Sequence, residues 1–136
     1  MPAKKYISKI NKDGNDIYIK DEEARTEVGG KEDRVAIVTC TTSTLPQTLS
    51  TGTYYNITDA VSTATFNLPS VTDNTKLSAL ELFFTTGSST PTVTITPQSG
   101  DTVSYFSGYA IEASKSYELN ILWNGTKWIV AYAVVE

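Results

Sequence analysis

Paired carboxylates can hydrolyse a glycoside, one protonating the leaving oxygen while the other attacks or activates water. Asp101, Glu112 and Glu118 lie in the β-rich part of this chain and raise that chemistry. Only seven acids occur from residue 36 onward, and none of these three sits in a recognisable motif. They read as solvated surface charge. "GDTVS" and "TDNTK" resemble fragments of calcium loops but lack the alternating oxygen ligands and the bidentate Glu of a complete one. Both read as turns.

The 136 residues include no histidine. That removes Ser-His-Asp and Cys-His catalysis and every His-ligated metal. The single cysteine, Cys40, excludes an intramolecular disulfide and a thiolate zinc cage. Its apolar neighbours in "IVTCTT" make it a buried, inert thiol. No catalytic residue, metal site or cofactor is therefore expected. A net charge of -4 argues against nucleic acid, because phosphate contacts need a basic face. No apolar run is long enough for a membrane helix, and "MPAKKYISKI" lacks the apolar core of a secretory signal. Asn56-Ile57-Thr58 and Asn124-Gly125-Thr126 match the glycosylation acceptor pattern, which means little without such a signal.

Aromatic residues offer a different chemistry, contact without reaction. "VSYFSGYA" gathers Tyr105, Phe106 and Tyr109 around Gly108. A tyrosine ring beside serines can stack on the apolar face of a pyranose, although core packing competes for the same residues. Tyr54 and Tyr55 are adjacent, so on a strand one must face away from the core. Tyr54, Tyr55, Tyr105 and Tyr109 are thus the candidate ligand contacts.

The elements that must position these residues fall into two regions. Residues 1–35 hold 8 of the 11 Lys and Arg and 8 of the 15 Asp and Glu, while the remainder is dense in Ser and Thr. The composition changes near "VGGKEDR", which places a boundary between a segment 1–34 and a domain 35–136. In the first segment, "YISKI" and "DIYIKD" flank an Asp-Gly turn and predict a hairpin of Tyr6 to Ile10 with Ile17 to Lys20. "DEEARTEV" predicts a short helix capped by Asp21 and stopped by Gly29. A lone hairpin and a two-turn helix are each marginal, so this segment should need something to sit on.

The second region is a series of short strands between turns: "VAIVTCTT", "TGTYYNIT", "VSTATFNLP", "LSALELFFTTG", "TPTVTITP", "TVSYFSG", "YAIEAS" and a closing hairpin. Eight or nine strands in about a hundred residues predict an all-β domain, an antiparallel β-sandwich of jelly-roll type. In the closing "KSYELNILWNGTKWIVAYAVVE", Asn124-Gly125 predicts a two-residue turn, with Ile121 opposite Trp128 and Leu119 opposite Val130. Tyr117, Leu119, Ile121, Trp123, Trp128, Val130, Tyr132 and Val134 then share the core face. The other face carries Ile129, Ala131, Ala133 and Val135, too apolar to meet water alone. Cover by a neighbouring subunit or by the chain itself would each account for it.

"KKYISKINKDGNDIYIKDEEAR" resembles the N-terminal segment of tailed-bacteriophage virion proteins: tail-fibre, baseplate and head-fibre components. Their strand pair leads into an acidic Asp-x-x-Ala-Arg helix, and Tyr6, Ile7, Lys9, Ile10, Ile17, Tyr18, Ile19, Asp21, Ala24 and Arg25 match that pattern. The Ser/Thr-rich region ending "ILWNGTKWIVAYAVVE" is similar to the small β-domains that close such proteins. The resemblance touches both ends of the chain through loose motifs. It implies a virion protein, a homotrimer, attached to capsid or tail components through Tyr6, Ile7, Ile10, Ile17, Ile19, Asp21 and Arg25. The chain's shortness favours a head fibre or capsid decoration over a tail fibre, and host attachment through a surface glycan is a further role. The alternative is a carbohydrate-binding β-sandwich module whose N-terminal segment is a tether.

Overall fold

The structure, a computed structural model, describes residues 6–12, 15–20 and 35–136. The chain divides into two compact units, Met1–Arg34 and Val35–Glu136. In the first, β1 (Tyr6–Lys12) and β2 (Asn15–Lys20) form an antiparallel hairpin with Ile10 opposite Ile17 and Lys12 opposite Asn15. The pairing shifts between Tyr6 and Lys9. The helix expected after Lys20, with Asp21 and Arg25, lies outside the described residues.

The second unit is all β, with eight strands: β3 (Ala36–Cys40), β4 (Thr53–Val61), β5 (Thr63–Asn67), β6 (Ser78–Thr86), β7 (Thr92–Thr96), β8 (Val103–Tyr105), β9 (Ser116–Trp123) and β10 (Trp128–Val135). Six of them form one sheet in the order β3-β4-β6-β9-β10-β8, and β5 pairs with β7 in a second. "LSALELFFTTG" is a strand, as its length and Gly-Ser-Ser exit predict, whereas "YAIEAS" is irregular and closes in a turn at Ala113 and Ser114. Ser114 has a positive φ of 57° and donates its N–H to the Gly87 carbonyl. The Thr86 hydroxyl behind this turn, buried, donates to the Glu112 carbonyl at 2.7 Å and accepts the Lys115 N–H at 3.0 Å.

The strand directions depart from the antiparallel arrangement expected. β3 with β4, β4 with β6, β5 with β7 and β8 with β10 are parallel. After β4 the chain turns through Ser62 into β5, loops back, and repeats the path as β6 and β7. Tyr54 then lies beside Glu81, and Thr63 beside Thr92. One turn of chain stacks on the previous one in a solenoid-like manner, β5 and its loop serving as the long crossover that parallel pairing needs. Alternating apolar residues satisfy either direction, so the sequence pattern does not choose between them.

β4 carries an irregularity: Asn56 opposes Phe83, but Ala60 opposes Thr85. Two surplus residues on β4 locally break the ladder, the usual effect of a bulge. Within this stretch Asp59 meets the loop after β3, where its carboxylate accepts the Thr42 N–H at 2.8 Å and the Thr42 hydroxyl at 2.5 Å. Those bonds favour the charged form and hold the Asp59 carboxyl below its ordinary range.

The core joins the inward face of the six-stranded sheet to β5 and β7. Tyr55, Leu82 and Leu119 form one row across the sheet, and Leu80, Ile121 and Val130 another. Phe66 of β5 meets Phe84 of β6 at 5.9 Å between ring centroids, and Phe84 meets Tyr117 of β9 at 5.7 Å. Cys40 is buried among these residues, and burial, then Asp59, pushes its thiol pKa up, consistent with an inert side chain.

The closing hairpin is present but its register differs by two residues from the expected one. Trp123 faces Trp128, Ile121 faces Val130 and Leu119 faces Tyr132. The Asn124 side chain explains the longer loop: its Oδ1 accepts the N–H groups of Thr126 and Lys127, each at 3.0 Å. Only Gly125 in this loop has positive φ, so a type I′ turn, which needs two such residues, does not form. A shift of two residues preserves every side chain's face. Tyr117 through Trp123 and Trp128 through Val130 are accordingly buried on the predicted side, while Val134 is exposed near the chain end.

Candidate interaction surfaces

Asp101, Glu112 and Glu118 occupy separate elements. Asp101 lies in a turn closed by its N–H donating to the Gln98 carbonyl, Glu112 pairs with Lys115, and Glu118 is on β9. No group of three or more acidic, Cys or His residues suited to a metal occurs among the described residues. A polar cleft of about 270 Å³ is lined by Thr51, Ser70, Asp73 and Lys76 among others. Asp73 and Lys76 form an exposed ion pair at 3.8 Å, and the Thr75 hydroxyl and N–H hold the Asp73 carboxyl low.

The outward face of the six-stranded sheet unites the residues proposed from the closing strand. Strand register sets them in rows. One runs Ile37, Tyr54, Glu81, Asn120, Ala131, and the next runs Thr39, Asn56, Phe83, Glu118, Ala133. Ile129 lies beside Leu122 and Ser104 in a third, and Val135 beside Ser116 in a fourth. Ile129 and Ala131 are half-buried, Ala133 is exposed, Val135 is 38% exposed and Ile37 is 74% exposed. The residues flagged on one strand thus extend to a six-strand face that also carries Phe83 and Tyr54. Sequence reasoning stopped at β10 because the strand order that aligns β3, β4 and β6 beside it is not written in the local pattern.

The adjacent tyrosines separate as alternation requires. Tyr55 is 2% exposed, and its hydroxyl accepts the Ser50 N–H at 2.7 Å. It is a core residue, which corrects its place among the candidate ligand contacts. Tyr54 faces outward, its phenol pushed up by partial burial and then by Glu118 and Glu81.

Tyr105 and Tyr109 are brought together. Tyr105 ends β8 opposite Val130, at the sheet's edge. Its ring lies 4.6 Å from that of Tyr109, and Tyr132 meets Tyr109 edge-on at 5.4 Å. The chain between them is a tight turn, with the Tyr109 N–H donating to the Phe106 carbonyl at 3.1 Å. Gly108 takes the third position with φ of 79°, as a type II turn demands. The Tyr132 hydroxyl donates to the Gly108 carbonyl at 2.6 Å and fastens the turn to β10. Tyr132, which strand alternation assigns to the core row, also belongs to this cluster. Its link to Gly108 spans 24 positions and has no local signature.

Compared with protein-family models, with curated proteins and with solved structures, the chain matches none.

Proposed function

We propose that this chain is a non-enzymatic bacteriophage virion structural protein. It is a surface fibre or decoration subunit, of head-fibre rather than tail-fibre or baseplate type. Residues 1–34 dock it to other virion proteins, and residues 35–136 form the displayed domain. Copies meet as a homotrimer through the outward face of the six-stranded sheet.

The observation that carries this reading is the open, partly apolar sheet face. Ile37, Tyr54, Phe83, Ile129, Ala131, Ala133 and Val135 share it, and several remain exposed in a single chain. Burial of apolar area gains roughly 25 cal/mol per Å² before association costs. Small Ala131 and Ala133 let a neighbouring backbone come close. The hairpin of Tyr6–Lys12 with Asn15–Lys20, in a unit separate from Val35–Glu136, agrees with a docking segment and with the resemblance of its sequence. The finer reading of the fold as a β-sandwich belongs to the same proposal, supported by β5 placing Phe66 against Phe84 of the large sheet.

An antibody against the chain should sediment with DNA-filled particles and label their surface in negative stain. Label confined to the soluble fraction of a producing culture would contradict the virion reading. A carbohydrate-binding module is the second reading, favoured by the tyrosine stack.

A further inference from the structure

We propose that the stack of Tyr105, Tyr109 and Tyr132 is a carbohydrate platform, on which the exposed ring of Tyr105 takes the apolar C–H face of a pyranose. Its role in adhesion rests on the display function proposed above; the site itself rests on its geometry.

Tyr105 is 44% exposed and Phe106 55% exposed, so two large rings meet solvent at one turn. The Tyr105 ring is also held. Tyr109 supports it from 4.6 Å, Tyr132 braces Tyr109 from the edge, and the Tyr132 hydroxyl fixes the Gly108 carbonyl. A ring already immobilised loses little rotamer entropy on binding, which is what a weak-affinity contact requires. Ser107, exposed in the same turn, offers a hydroxyl able to exchange hydrogen bonds with those of a sugar.

The chemistry of the surroundings selects the ligand. A nucleobase could stack on the same ring, but residues 36–136 carry only three Lys and Arg against seven acids, too few for a phosphate backbone. Two exposed rings cover far less than the roughly 800 Å² per partner of a stable protein interface. One pyranose covers about one ring. Burial of the Tyr109 phenol, whose hydroxyl has no hydrogen-bond partner among the described residues, marks it as support rather than contact.

Saturation-transfer NMR on the full chain tests this, using methyl glycosides of glucose, galactose, mannose, N-acetylglucosamine and N-acetylgalactosamine as probes. At least one should receive saturation on the C–H protons of a single ring face. Tyr105→Ala should abolish the transfer while leaving a cooperative melting transition, lowered only by the loss of one partly buried ring. Tyr105→Trp should retain or raise it, and Tyr132→Phe, which frees the turn, should weaken it severalfold. Absence of transfer from all five probes, or transfer undiminished in Tyr105→Ala, overturns the platform. Sugar binding by a chain that labels no particle would defeat the virion reading and leave the platform standing. Particle label without sugar binding would do the reverse.

Discussion

The indole N–H of Trp123 donates to the side-chain oxygen of Asn74 at 3.1 Å, joining the closing hairpin to the loop that leads into β6. Trp123 also meets Trp128 across the hairpin at 5.6 Å with rings nearly edge-on, and both side chains are buried. The same loop approaches the hairpin tip, since a Cβ on Gly125 would fall 2.7 Å from the Asn74 carbonyl oxygen. The oily closing strand is therefore one wall of the core on its inward face, and a hairpin tip held by Asn74 on its way in.

Gly125→Ala should be costly for two separate reasons, the positive φ of 98° and the collision with Asn74 backbone. A loss of about 2 kcal/mol is expected. Gly87→Ala is the control, because its Cβ would meet only the Ala60 Cβ at an ordinary 3.9 Å. Its effect should stay within about 0.5 kcal/mol. Urea unfolding midpoints compare the two, and equal losses would contradict the close approach at Asn74.

That contact shows where sequence reasoning ends. The alternation in "KSYELNILW" puts Tyr117, Leu119 and Ile121 inside, because a side chain's face depends only on the strand period. The hairpin loop is two residues longer than an Asn-Gly turn alone predicts. Asn124 forms its own side-chain turn here rather than adopting positive φ. Strand direction was not legible at all, because the partners of β4 and β6 are fixed by a crossover and not by local composition. The candidate surfaces were half legible. Alternation separates Tyr54 from Tyr55 and puts Ala131 with Ala133, whereas only the folded chain brings Tyr132 to Gly108.

Tyr109 gives a pH test. Burial first, then Tyr105 and Tyr117, push its phenol up to about 12. An unfolded tyrosine ionises near about 10, so between these values the folded chain binds the proton and the unfolded chain does not. The stability this contributes is complete below about pH 10 and is lost as pH rises towards about 12. Tyr109→Phe should flatten that alkaline decline. At neutral pH it should leave stability unchanged or slightly raised, because it deletes a buried hydroxyl with no partner among the described residues. Denaturant midpoints at neutral and alkaline pH decide it; a neutral-pH loss above about 1 kcal/mol would mean that the hydroxyl is bonded.

The central claim is that the outward face of the six-stranded sheet joins copies of the chain, and solution mass by light scattering after size exclusion tests it most directly. The full chain should elute at three times its monomer mass. Ala133→Glu, which puts a charge on the exposed part of that face beside Glu118, should give a monomer that still unfolds cooperatively. A wild-type monomer, or a variant that stays oligomeric, would contradict the claim.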